Sequence, residues 1–300
     1  MRVKGAPVYR ESAVATSDGR NLEVASVGDE FDRAVLFHHG TPGSCATVKA
    51  LAPLSTRASV RLITMSRAGY GASTRVEGRR IASVVDDARA VLDALGVERY
   101  VAVGWSGGGP HALACAALDA PRCIAAWSLA GVTPLNVAFD WTEGMGEKNL
   151  REFALAFEGG DAYEALLAAE GEKFSRATHD NVVELFDGLL SPPDLASLAD
   201  ERSRVEFAEG VRRAFTDGWG GFHDDDQAFI HPWGFDPTDI EIPVEVWYGD
   251  EDLMVPPSHG ARLAAEIRSA RAHHFPEEGH LSLISNHLEQ LGDDIASAFD

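Results

Sequence analysis

At 300 residues with 45% apolar side chains, the chain can bury a full core, either as two ordinary domains or as one large α/β domain carrying an insertion. Its formal charge of −21, from 26 Lys and Arg against 47 Asp and Glu, comes without any basic stripe, which excludes nucleic acid and disfavours polyanionic substrates. No apolar run reaches the length of a membrane span and Met1–Arg10 lacks a signal-peptide core, so a cytoplasmic protein without membrane contact is expected. Cys45, Cys115 and Cys123 fit neither a disulfide framework nor a metal-ligand spacing and read as buried thiols.

Taken in order, Ser12–Thr16 and Asn21–Val27 flank an Asp-Gly turn and read as a hairpin. Ala34–His39 is a buried strand running into Gly40-Thr41-Pro42-Gly43, and a helix is expected over Ala46–Ser55. Arg61–Met65 is a further strand that enters the glycine-rich turn Ser66–Ser73. Ile81–Leu95 has helical spacing and stops at Gly96. Tyr100–Val103 reads as a strand, ends in Gly104-Trp105-Ser106-Gly107-Gly108, and is followed by a helix from His111 to Leu118 with Pro110 in its first turn. Such a turn strains its serine and leaves no space for Cβ atoms two residues to either side, so glycine is demanded there. Ile124–Leu129 is the next strand.

From about Thr133 to Ile240 the spacing predicts helices only, over Asn149–Phe157, Ala162–Glu170, Val182–Leu190 and Ser203–Thr216. Strand and helix then alternate again through Val244–Tyr248, Ser258–Arg268, Ala272–Phe275 and a closing helix, Leu281–Phe299. The pattern predicts an α/β fold, a mostly parallel twisted sheet covered on both faces and interrupted once by a helical insertion. The expected division is a core of residues 1–132 and 241–300 around an insertion of residues 133–240.

Five motifs in order, His39-Gly40-Thr41-Pro42-Gly43, Arg67-Ala68-Gly69-Tyr70-Gly71, Gly104-Trp105-Ser106-Gly107-Gly108, Gly249-Asp250-Glu251-Asp252 with Val255-Pro256, and Gly279-His280, each end a predicted strand. On these the chain resembles the α/β-hydrolase superfamily over nearly its whole length, with nucleophile, acid and histidine in that fold's order. The resemblance implies a helical cap inserted after the sixth strand, where 133–240 falls.

Ser106 is the candidate nucleophile: the flanking glycines exceed what a simple helix N-cap serine needs. His280, on a loop at the same sheet edge, is the candidate base. Asp250 and Asp252 both follow the Val244–Tyr248 strand, and the family's spacing before Val-Pro selects Asp252 as the acid. The oxyanion hole is expected from the backbone N–H of Gly107 and, by resemblance to members with His-Gly-x-Pro, that of Thr41. His38 and His39 are expected to orient that loop, and Arg67 to be scaffold. The family usually has aspartate where this chain has Ser66, which leaves that loop's polar partner open. His223-Asp224-Asp225-Asp226 with His231 reads as a solvated acidic loop and not a metal site.

No cofactor or metal is implied, and the expected partner is a small molecule. More than half of the aromatic side chains fall in the insertion, and a subset of them is expected to line an apolar pocket above Ser106. The expected activity is that of a serine hydrolase cleaving a small to medium, largely apolar carboxylic ester through an acyl-enzyme. Lactonase, amidase or aminopeptidase, perhydrolase and carbon–carbon hydrolase chemistry all fit the same three residues. A ligand sensor with little turnover and a cofactor-free oxygenase using the His–Asp pair are the readings from other classes.

Overall fold

The computed structural model describes residues 8–136 and 138–300, so the first seven residues of the Met1–Arg10 stretch lie outside it. Eight strands form one sheet: β1 (Arg10–Ala15), β2 (Asn21–Val27), β3 (Ala34–His38), β4 (Arg61–Met65), β5 (Tyr100–Trp105), β6 (Cys123–Leu129), β7 (Val244–Gly249) and β8 (Ala270–Phe275). Their spatial order is β1-β2-β4-β3-β5-β6-β7-β8. β1 and β2 make the antiparallel hairpin expected around Asp18-Gly19, β2 runs antiparallel to β4, and all pairs from β4 to β8 are parallel.

The twofold period of the central strands divides the core between the two faces. Leu36 of β3 and Tyr100 and Ala102 of β5 face one layer; Val35, Phe37, Val101 and Val103 face the other. The second layer is covered by α1 (Ala52–Ala58) and α12 (Leu288–Ser297). The first is covered by α2 (Val84–Ala94), α3 (Gly109–Leu118) and α10 (Pro257–Glu266), and it continues into the insertion. Between β6 and β7 lie α4 (Glu147–Glu158), α5 (Asp161–Phe174), α6 (Val182–Leu185), α7 (Pro192–Ser197), α8 (Glu201–Ala214) and α9 (Gly220–Ile230). Among the described residues no helix is long and apolar enough to cross a membrane.

Four expectations need correction. The helix over Ala46–Ser55 is instead a short 3-10 turn, Cys45–Lys49, followed by α1, because Pro53 can occupy only the first turn of a new helix. The helix over Val182–Leu190 stops at Leu185, since Gly188 adopts φ +80° and Ser191 caps α7. The closing helix is two, α11 (Ser282–Ser285) and α12, because α11 packs on α7 of the insertion while α12 packs on α1. The acidic run at 223–226 is not a solvated loop: it lies on α9, with Asp224, Asp225 and Asp226 all buried. Successive helical positions point 100° apart, so each carboxylate meets a different partner.

Candidate active site

β5 delivers Ser106 to the carboxyl edge of the sheet. Ser106 has φ +57°, one of three non-glycine residues at positive φ among the described residues, a backbone region that costs on the order of 1–3 kcal/mol. The turn closes so tightly that a Cβ on Gly104 would lie 2.1 Å from the Gly108 carbonyl oxygen, and one on Gly108 would lie 2.1 Å from that of His38. The two glycines are therefore demanded by space, as the motif implies. α3 starts immediately beyond, with its free N–H groups and positive dipole end toward the turn.

The Gly40-Thr41 loop leaves β3 beside this elbow. A Cβ on Gly40 would touch the Ser106 Cβ at 3.3 Å, and one on Gly107 would collide with the Thr41 Oγ1 at 2.2 Å. Thr41 and Gly107 are thus neighbours across the mouth of the turn. His39 fixes the loop from within: its Nδ1 pairs with the Gly40 carbonyl at 2.7 Å and its Nε2 accepts from the Arg67 N–H at 3.1 Å. Burial pushes His38 down to about 3 and His39 well below the ordinary range, so both rings are neutral, in keeping with an orienting role. The partner of Ser66 is Glu23 of β2, whose Oε2 accepts from the Ser66 hydroxyl at 2.5 Å.

His280 follows β8 and is 1% exposed. Its Nδ1–H donates to Asp252 Oδ2 at 2.7 Å, and Asp252 Oδ1 accepts from the Met254 and Val255 N–H groups, both at 2.8 Å. Asp250, by contrast, is half exposed and meets His274 at 2.7 Å on the surface. Trp105 ties His280 to the elbow, its Nε1–H donating to the His280 carbonyl at 3.1 Å and its ring lying 5.2 Å from the imidazole. Burial opposes the charged imidazolium, but the Asp252 carboxylate, its hydrogen bond and Asp194 outweigh it, so the His280 pKa lies above the ordinary value.

Over Ser106 and Gly107 lies a cavity of about 240 Å³, between the sheet edge and the insertion. The rings of Phe153, Phe174, Phe186, Phe222 and Phe229 are the aromatic subset that lines it. The lining is less apolar than the composition suggests, because Glu152, Glu170 and Asp226 share the wall.

The α/β hydrolase fold family model matches residues 33–287. This chain belongs to the α/β-hydrolase fold family. It is 28% identical over 279 residues to a non-heme haloperoxidase from Rhodococcus erythropolis, covering 89% of this chain and 92% of that one. A bifunctional esterase/perhydrolase from Acinetobacter calcoaceticus is 26% identical over 85% of this chain and 87% of its own. The solved bromoperoxidase from Bacillus anthracis superposes with a TM-score of 0.71 at 19% identity, over 97% of this chain and 99% of that one.

Two further carboxylates in this α/β hydrolase escaped sequence reasoning, both carried by the insertion. Asp194 of α7, fully buried, accepts from the N–H groups of His280 at 3.1 Å, Leu281 at 2.7 Å and Ser282 at 3.0 Å. Gly279 makes room for it, since a Cβ there would lie 2.5 Å from Asp194 Oδ2. The one cue was Ser191-Pro-Pro-Asp194, a capping box whose second use, holding the histidine loop, depends on tertiary contact. Asn at 194 can accept with only one of its two terminal atoms and presents N–H to N–H with the other. Asp194→Asn is therefore expected to lower kcat/KM roughly ten- to hundredfold and to shift its acid-limb midpoint down, read from a pH–rate profile.

Asp225 of α9 is the second. Its carboxylate receives Arg67 Nε at 3.2 Å, Arg79 at 2.6 Å, the Tyr70 hydroxyl at 3.0 Å and the Thr41 hydroxyl at 2.6 Å, and a second Arg67 nitrogen also reaches it. Arg67 in turn donates to the carbonyls of His39 and Gly40. Burial favours the neutral acid, yet the two guanidiniums win and hold Asp225 well below the usual carboxylate range. Its stabilising contribution is complete above about pH 4 and is lost only as pH falls through the lowered folded value. Asp225→Ala leaves two buried guanidiniums uncompensated and should cost about 3–5 kcal/mol, measured as a lower urea midpoint.

Proposed function

We propose that this hydrolase cleaves a small to medium, largely apolar carboxylic ester through an acyl-enzyme on Ser106. The family supplies the hydrolase; the substrate class and the residue roles rest on the geometry. The observation that carries the reading is a strained serine at the floor of a walled cavity, with a buried imidazole–carboxylate pair packed against the same turn. In this reading residues 133–240 act as a cap over a core of 1–132 and 241–300.

Asp252 accepts a hydrogen bond from the Nδ1–H of His280, which keeps the proton on Nδ1 and leaves Nε2 with its lone pair free to take the Ser106 proton. Ser106 Oγ attacks the ester carbon, and the carbonyl oxygen gains charge between the Thr41 and Gly107 N–H groups, each worth about 3–4 kcal/mol in the transition state. Protonated His280 gives its proton to the departing alkoxide. Water, activated by the same imidazole, then releases the acid. The enclosing walls favour a small to medium substrate, and the phenylalanine rings favour an apolar chain next to the ester.

A panel of p-nitrophenyl esters of increasing chain length, with lactones and aminoacyl amides, tests this. Short and medium esters should turn over fastest. Hydrolysis of none of them above buffer background, or no preference for esters over amides, would sink the ester reading.

A further inference from the structure

The cavity wall carries a charge arrangement that an apolar ester does not use. Asp226 is fully buried, and its Oδ2 accepts from the Tyr163 hydroxyl at 2.7 Å. Its Oδ1 has no donor among the described residues. An unpaired carboxylate oxygen out of water is costly and calls for an explanation. Asp226 lines the cavity together with Glu152 of α4, and with Ser106 and Thr41. On α9, Phe222, Asp226 and Phe229 share one face at i, i+4 and i+7. The Phe229 ring reaches the elbow, 2.8 Å from where a Gly107 Cβ would be, and Asp226 stands roughly one helical turn, about 5 Å, away along α9.

We propose that Asp226 and Glu152 form a subsite for a protonated amine, so that the ester this enzyme cleaves carries an ammonium group away from the bond that is cut. The neighbouring charges are already engaged or lie at the mouth. Asp225 on the same helix is matched by Arg67 and Arg79, and Asp224 by Arg75. On α5, Glu170 pairs with Lys173 at 2.6 Å, while the His223 ring packs on Tyr163. Lys148, Arg151 and Lys173 also line the cavity, but all three are exposed, and Lys148 donates to the Leu185 carbonyl at 3.1 Å. A hydroxyl would bring one proton and no charge; an ammonium brings three donors and a positive charge to the unpaired oxygen of Asp226.

Asp226 is fully buried and Glu152 partly so, and each lies near other carboxylates. Burial and Glu170 push Glu152 up to about 8, and burial, Glu152 and Asp225 raise Asp226 well above its ordinary value. A proton on either acid opposes a bound ammonium, which favours the ionised carboxylates. Affinity for an amine should rise with pH through the titration of Glu152 and fall only as the amine itself loses its proton, near pH 10.

The subsite's role in turnover rests on the ester reading, but its binding does not, and calorimetry separates the two. The full chain is titrated with n-butylamine hydrochloride and with n-butanol at about pH 6.5 and about pH 8.5. The wild type should bind the amine at least about tenfold more tightly than the alcohol, more so at the higher pH, with proton release seen as buffer-dependent heat. Asp226→Asn and Glu152→Gln should each reduce that preference, with folding checked by circular dichroism. Equal affinity for amine and alcohol in the wild type, or a preference untouched in both variants, overturns the proposal. Amine binding to a protein that hydrolyses no ester would leave the subsite standing and remove the ester reading alone.

Discussion

Ser106→Ala will abolish covalent labelling by a fluorophosphonate and lower kcat on the best ester of the panel by about a millionfold. The magnitude follows from the proposed roles. Without the hydroxyl there is no acyl-enzyme, and the imidazole of His280 has no proton to move. What remains is the pull of Thr41 and Gly107 on the carbonyl oxygen, worth at most a few powers of ten over water. The fold should survive, because removing one oxygen leaves the elbow's glycines and the α3 packing in place. Its positive φ should cost alanine no less than serine, so a small loss of stability is acceptable. Substantial activity in this variant would transfer the chemistry to the His280–Asp252 pair and revive the cofactor-free oxygenase reading.

Asp252→Asn is the second large effect, about ten-thousandfold in kcat. The Asp252 carboxylate accepts a hydrogen bond from the Nδ1–H of a fully buried imidazole while its other oxygen is held by two backbone N–H groups. An amide that keeps its oxygen on those backbone donors must turn N–H toward His280. The ring then accepts at Nδ1, carries its proton on Nε2, and cannot act as a base toward Ser106. Loss of the charge also removes what raises the His280 pKa, so the residual activity should persist to lower pH than in the wild type. Asp250→Asn is the control. Among the described residues the Asp250 side chain pairs with the exposed His274, and its loss should alter kcat by less than about threefold. The reverse ranking of these two variants would reassign the acid.

Several parts of this site could be read from residues close in sequence. Gly104 and Gly108 belong to the same turn as Ser106, so their spacing alone announces a backbone too tight for Cβ atoms. The alternation in β3 and β5 states which side chains face each layer. Asp252 could be set apart from Asp250 through the Val-Pro spacing of the family, and in the structure it is Asp252 that pairs with the buried His280. Breaks set by chain partners were harder. Nothing between Ser285 and Leu288 stops a helix, and only the separate docking of α11 on α7 and α12 on α1 explains the division.

By itself, then, the sequence determined the alternating sheet, the elbow and the order of its chemical groups, because each depends on steric demands within a few residues. Only the tertiary structure decided the fate of the acidic insertion residues. Asp194, Asp225 and Asp226 look alike in the chain, yet one grips the histidine loop, one neutralises two arginines behind Thr41, and one keeps a buried oxygen without a donor among the described residues. A carboxylate's role is set by the donors that reach it, and those donors come from elements that are distant in sequence.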